Sequence, residues 1–212
     1  MTSLPKSGET ARQFNAETLV IATHNAGKLR EIKEYFKDMN VALTSAGELN
    51  LPEPDETEDT YIGNATIKAL AAAKASGKVA LSDDSGLAIE ALGGSPGVYS
   101  ADWAEEEGEN GKRDFYAAMD RIKREIGDNP NRKAKFVCAL VMAWPDGHTE
   151  AVEGYVHGHV EFPPRGDKGF GYDPIFVPEG DTRTFGEMEY AEKEPISHRN
   201  DAIGKLLAKC FR

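Results

Sequence analysis

Leu19-Val-Ile-Ala-Thr-His-Asn-Ala-Gly-Lys-Leu-Arg30 joins an apolar run to a small polar turn and then to a helical pattern. The run predicts a buried strand from Thr18 to Thr23. Leu29, Ile32, Phe36 and Met39 recur at helical spacing, so Lys28 to about Met39 is predicted as an amphipathic helix. A strand running straight into a helix is the opening unit of an α/β chain. The Gly27-Lys28 pair in the turn raises the question of a phosphate loop. A Walker loop would need Gly at position 22 and Ser or Thr at 29, where the chain has Ala22 and Leu29. Two readings stay open. Thr23, Asn25, Lys28 and the amides of a helix start would hold an anion, or the segment is a solvated turn.

Outward from this unit the pattern stays mixed. Val41 to Ser45 is a second predicted strand. LNLPEPDETEDT is an acidic, Pro-bearing loop. Thr60 to Ser76 is an Ala-rich helix with Ile62, Ala65, Ala69 and Ala72 on one face, stopped by Gly77. VALSDD is a short strand ending in two carboxylates; LAIEAL continues apolar until GGSPG breaks it. A helix is predicted from Glu109 to Ile126 and a long strand from Lys135 to Trp144. Pro-Asp-Gly then turns the chain into EAVEGYVHGHV, an antiparallel partner. Ser197 caps a last helix that buries Ala202, Ile203, Leu206, Leu207 and Cys210. The expected class is a mixed-sheet α/β domain over residues 18–212, preceded by a mobile polar tail over residues 1–17.

Composition narrows the function. The 212 residues carry a net charge of −11, which disfavours a nucleic-acid partner. A small phosphorylated ligand needs only a local group of Lys and Arg. No apolar stretch is long enough to span a membrane, and the N-terminal segment lacks the apolar middle of a signal peptide, so the expected location is cytoplasmic. Cys138 and Cys210 read as buried thiols, with no disulfide or zinc pattern.

Two constellations carry candidate chemistry. Asp83 and Asp84 are adjacent carboxylates on a strand, so only one points into a given site; an Asx turn closing the strand is the plainer reading. One member of Asp55, Glu56, Glu58 and Asp59 would meet Asp84 across a cleft and share a divalent ion, the rest being a solvated face. Near the C-terminus, GFGYDPIF offers aromatics to flank a base and Asp173 to accept from its edge. Lys193, Ser197, His198 and Arg199 supply donors near a helix start, suited to an anion or a purine oxygen. A Ser197–His198 nucleophile is rejected, because adjacent residues seldom face each other as general-base activation requires. A single histidine there also reads simply as a surface residue.

THNAGK, the acidic ET stretch before NATIKA, DDSG, ALGGSPGVYSA, GFGYDPIF and SHR occur in that order from Leu19 to the C-terminus. Together they resemble the inosine triphosphate pyrophosphatase, or Ham1-like, family. The resemblance implies an elongated mixed β-sheet with flanking helices, forming two lobes around a substrate cleft, usually in a homodimer. It implies magnesium-dependent hydrolysis of ITP, dITP and XTP to the monophosphate and pyrophosphate, which clears deaminated purines from the nucleotide pool. Carried over by motif, Thr23, His24, Asn25, Ala26, Gly27 and Lys28 would hold the triphosphate. Glu56 would bind the metal; Asp84 would act as general base and metal ligand. Ser85 would touch substrate, and Phe170, Gly171, Tyr172 and Asp173 would frame base and sugar. Lys193, His198 and Arg199 would contact the base or phosphates.

One position departs from the family pattern: Asp102 follows YSA where relatives often carry a basic residue. Two other readings remain, a nucleotide sensor on the same fold and a Maf-like pyrophosphatase. The intact Lys28, Glu56 and Asp84 speak against the first. The SHR and GFGYDP segments speak against the second.

Overall fold

The computed structural model describes residues 11–110 and 112–211, with backbone only at Ala26. In chain order the elements are β1 (Thr18–Ile21), α1 (Ala26–Phe36), β2 (Ala42–Ser45), α2 (Tyr61–Ser76), β3 (Val79–Ile89), α3 (Ser100–Glu106), α4 (Phe115–Ile126), β4 (Lys133–Ala143), β5 (Thr149–Val160), β6 (Phe176–Pro178), α5 (Tyr190–Lys193) and α6 (His198–Cys210). The sheet order is β2-β1-β3-β4-β5-β6. β1 pairs in parallel with β2 and β3; every later pairing is antiparallel. Among the described residues no helix is long and apolar enough to cross a membrane.

β3 and β4 run through two separate cores. Each has 11 residues, roughly 36 Å at about 3.3 Å per residue, longer than one core needs. Leu81, Leu140 and Met142 pack with Leu19, Ile32, Phe36 and Leu206 in a core between the sheet, α1 and α6. Leu87, Ile89 and Phe136 pack with Met119, Ile122, Phe176 and Phe185 in a second core under α4. A third, Ala-rich layer joins α2 to the sheet through Ala65, Ala69, Ala72, Ala139 and Val141. The row on one face of β3 therefore reads Leu81, Asp83, Ser85, Leu87. Its two polar members fall at the gap between the cores.

Several boundaries differ from expectation. The Asp83-Asp84 pair lies in mid-strand, not at a strand end, because β4 pairs with β3 from Ala80 through Ile89. The helix expected from Glu109 begins at Phe115, where Asp114 caps the Ala117 amide at 3.0 Å. Gly108 and nearby polar residues disfavour helix before it, and α3 was not foreseen. Ile62 is exposed rather than on the buried face of α2. The glycine stop at Gly77 is left-handed, as a C-cap requires. Cys138 and Cys210 are free and buried.

The expected N-terminal tail divides. Residues 1–10 lie outside the described residues, whereas 11–17 belong to the folded body. Phe14 is buried and stacks on Phe211 at 4.9 Å. Its amide donates to the Cys210 carbonyl at 2.7 Å, the Arg12 amide donates to Glu150 at 2.8 Å, and the Arg12 guanidinium lies over Trp144. A lone aromatic in a polar stretch was the available signal. Phe14→Ala is expected to cost about 3 kcal/mol, read as a lower midpoint in urea at unchanged slope; a midpoint equal to the parent's would mean the segment contributes nothing.

Candidate active site

A cleft of about 890 Å³ opens between the two cores. The turn after β1 forms its first wall. Thr23 Oγ1 accepts from the Asn25 amide at 3.2 Å, and Asn25 Oδ1 accepts from the amides of Gly27 and Lys28 at 2.9 and 3.1 Å. Asn25 is thus the N-cap of α1. This corrects the picture of open helix-start amides, since the Gly27 and Lys28 amides are already taken. Thr23, His24, Asn25, Gly27 and Lys28 line the cleft. Ala26 starts α1, and its side chain lies outside the described residues.

The two adjacent aspartates separate by strand alternation. Asp83 is fully buried and faces α1 and α6. Its Oδ2 is 2.9 Å from Lys28 Nζ and 3.4 Å from Arg199 Nη2 and accepts from Ser85 Oγ at 3.2 Å. Burial alone would raise its pKa, but Lys28, Arg199 and Lys68 outweigh that and hold it well below the usual carboxylate range. Asp84 faces α2 and lines the cleft, as does Ser85. Its Oδ1 is 3.6 Å from Lys68 Nζ, which also contacts Glu56 at 2.5 Å. Burial pushes Asp84 up to about 6; Lys68 and Lys28 oppose the shift, and Glu56 and Asp83 add to it. Expectation put Glu56 across from Asp84. The two share Lys68; Glu56 is exposed like the neighbouring acids Asp55, Glu58 and Asp59.

Lys68 is the main residue that sequence reasoning missed. It lies in NATIKA on the same face as Ala65 and Ala72 and is itself buried. Burial would lower its pKa, yet Asp84, Asp83 and Glu56 raise it, so the ammonium stays charged. A lysine on the apolar face of an Ala-rich helix was the signal.

The C-terminal residues converge on the same cleft. β5 has Gly154 where α6 crosses it; a Cβ there would meet the Ala202 amide nitrogen at 2.2 Å and the His198 carbonyl at 2.3 Å. The missing side chain lets the first turn of α6 lie on the sheet, with Ser197 capping the Asn200 amide at 3.0 Å. His198 is buried, not on the surface, and stacks on Phe136 at 4.9 Å and 17°. Burial, then Arg199, Lys193 and Lys28, lower its pKa far below the usual value, so it is neutral. Arg199 bonds Glu31 and Ser85 as well as Asp83. Asp173 Oδ2 accepts from the Phe170 amide at 2.9 Å and Lys193 Nζ at 2.5 Å, so that oxygen is committed within the protein. Phe170 lies beneath Lys193 Nζ. The Tyr172 hydroxyl donates to the Ser100 carbonyl at 2.8 Å, and its ring meets Phe115 edge-on. Phe170, Tyr172, Asp173, Lys193, His198 and Arg199, with Gly171, line the cleft, whereas Ser197 does not.

Three buried polar atoms of cleft-lining residues have no hydrogen-bond partner: Asp84 Oδ2, His198 Nδ1 and Arg199 Nε. Buried polar atoms are almost always satisfied, so an unpaired one on a cleft-lining residue is a candidate ligand contact; Gln13 Oε1, the Tyr61 hydroxyl and Asp83 Oδ1 are also unpaired but lie outside the cleft lining. Among the described residues no group of three or more His, Cys, Asp or Glu could hold a metal alone. Glu56 and the open Asp84 oxygen supply the one or two carboxylates that magnesium takes when substrate phosphates and waters complete its shell. The donor set therefore fits that ion.

A sequence model of the Ham1 family matches residues 19–209. A dITP/XTP pyrophosphatase from Rhodospirillum centenum is 56% identical over 203 residues, 94% of this chain and 98% of that protein. One from Gluconobacter oxydans is 55% identical, covering 91% of this chain and 90% of its own. Among solved structures, a HAM1 protein from Coxiella burnetii is 34% identical with a TM-score of 0.82, over 91% of this chain and 98% of the other. The dITP/XTP pyrophosphatase from Mycobacterium abscessus is 37% identical with a TM-score of 0.71, over 90% and 98%. With the motifs in order, the sheet shared with those structures and the match running nearly end to end, the chain belongs to the Ham1 family.

Proposed function

We propose that this protein hydrolyses deaminated purine nucleoside triphosphates, ITP, dITP and XTP, to the monophosphate and pyrophosphate. The carrying observation is the unpaired carboxylate oxygen of Asp84 on the lining of one cleft with the unpaired nitrogens of neutral His198 and of Arg199. The names borne by the relatives agree with this. Water attacks the α-phosphorus, its proton passes to Asp84, and pyrophosphate leaves. A carboxylate with a pKa of about 6 is ionised at neutral pH yet basic enough to take the proton. Lys68 and Lys28 stabilise charge growing on phosphoryl oxygens. Magnesium, held by Glu56 and Asp84, would supply further neutralisation of the phosphate chain.

Base selection follows from hydrogen-bond sense. A 6-oxo purine offers an acceptor to the donors of His198 and Arg199, while adenine would set its amino group against them and leave a buried donor unpaired. Phe170 forms a wall for the base.

The test is product analysis with ITP, XTP, ATP and GTP, with magnesium and with EDTA. Pyrophosphate is expected as the primary product, with ITP favoured over ATP by about 10²-fold or more and no turnover in EDTA. Orthophosphate as the primary product would mean attack at the γ-phosphorus and overturn the mechanism. Tight ITP binding without turnover would mean a sensor.

A further inference from the structure

We propose that Arg113, on the loop between α3 and α4, binds the phosphate chain of the substrate. The inference rests on the pyrophosphatase reading and adds a residue to it. The inner cations of the cleft are already matched to carboxylates. Lys28 is 2.9 Å from Asp83, Lys68 2.5 Å from Glu56, Lys193 2.5 Å from Asp173, and Arg199 is bonded to Glu31. The lining also carries Glu53, Asp55 and Asp102. A triphosphate would therefore enter a cleft whose Lys28 and Lys68 already share their charge with carboxylates, and further balance must come from a divalent ion and a less committed cation.

Among the described residues, Arg113 and Arg30 are the cleft-lining arginines that no buried carboxylate holds. Arg113 lines the cleft and the adjoining 520 Å³ cavity beside Phe115 and Gly171, so it stands at their junction. Its one ion pair among the described residues is a 3.7 Å contact with Glu105, and both side chains are half-exposed. Such a pair contributes little and is readily exchanged. The guanidinium is nevertheless close enough to act on the cleft. The carboxyl of Asp102 is pushed up by burial and by Glu56, and Arg113 pulls against that shift. Arg113, Glu56 and Asp102 line the same cleft, so the guanidinium shares it with the carboxylate that would hold a metal-bound phosphate chain. Arg30, the other exposed arginine of the lining, extends from α1 and does not border the second cavity. A guanidinium matches phosphate oxygens with two parallel hydrogen bonds, and exchanging Glu105 for phosphate would also offset the carboxylate of Asp102.

The test compares the parent with Arg113→Ala and Arg113→Lys, using ITP as substrate and inorganic pyrophosphate and inosine as competitive inhibitors. For Arg113→Ala, KM for ITP and the inhibition constant of pyrophosphate are expected to rise together by about tenfold. kcat should stay within about twofold, because the contact holds ground and transition states alike. Inhibition by inosine, which has no phosphate, should not change, and Arg113→Lys should recover part of the loss. An unchanged KM, or an equal weakening of inosine and pyrophosphate, would overturn the assignment. Turnover by the parent tests the pyrophosphatase reading; the variant-to-parent ratio tests Arg113, so the two fail separately.

Discussion

Asp84→Asn is expected to lower kcat for ITP by about 10²- to 10⁴-fold while leaving the metal-free protein at least as stable as the parent. The rate follows from the only buried carboxylate oxygen, among the described residues, that belongs to a cleft-lining residue and lacks a partner. The stability follows from the sign of its titration. Asp84 has a folded-state pKa of about 6 against 3.8 for the free side chain. A raised value means that the folded chain binds this proton more tightly than the unfolded chain. The stabilisation from that proton is complete below pH 4 and is lost as pH rises through about 6. At neutral pH the ionised carboxylate is a burden on the metal-free fold, and an uncharged amide of the same shape lifts it. Lys68 retains Glu56 as its counter-ion in the variant. The checks are single-turnover hydrolysis of ITP and thermal melting in EDTA. Loss of activity with a melting point several degrees below the parent's would show a structural role instead. The acid limb of kcat/KM should lie near pH 6 when magnesium is scarce and move to lower pH when it is abundant, since ion and proton compete for one carboxylate.

How far the sequence could be read depended on the range of each interaction. The β1–α1 unit was legible because apolar period and capping are local. The expected strand and helix appear as Thr18–Ile21 and Ala26–Phe36, with Asn25 as cap. The β4–β5 hairpin was legible from Pro-Asp-Gly between two apolar runs. The two carboxylates of DDSG were visible as chemistry, but their division of labour was not. It depends on which face of β3 meets α2 and which meets α1 and α6, and those contacts are remote in sequence. Lys68 and His198 were misjudged or missed for the same reason. A lysine gains significance only when Glu56 and Asp84 surround it, and a histidine at a helix start is buried only when Gly154 lets α6 settle on β5. Phe14 was overlooked because its partner, Phe211, is at the other end of the chain.

The neighbouring substitution should behave in the opposite way. Asp83→Asn is expected to destabilise the protein by about 3 kcal/mol, a fall of about 6–12 °C in Tm for a chain of this length. Asp83 is the anchor on which Lys28 and Arg199 are set, and neither of those side chains is well exposed: 16% and 3%. An amide keeps the shape and removes the charge, so Lys28 is left without its carboxylate. Arg199 retains Glu31 and Ser85, which keeps the cost at the lower end for a broken buried pair. The pH dependence is also reversed. Asp83 is held below its unfolded value, so its contribution is present above about pH 4 and is lost as pH falls toward the folded-state value. The parent should lose stability in that acid range and Asp83→Asn should lose less. Catalytically, the loss should appear mainly in KM, because Lys28 and Arg199 would be displaced while Asp84 still faces α2. Equal melting points for Asp83→Asn and Asp84→Asn would contradict this assignment. A deficit confined to Asp83→Asn would mean that one strand carries, in consecutive residues, a carboxylate that holds the site together and one that works in it.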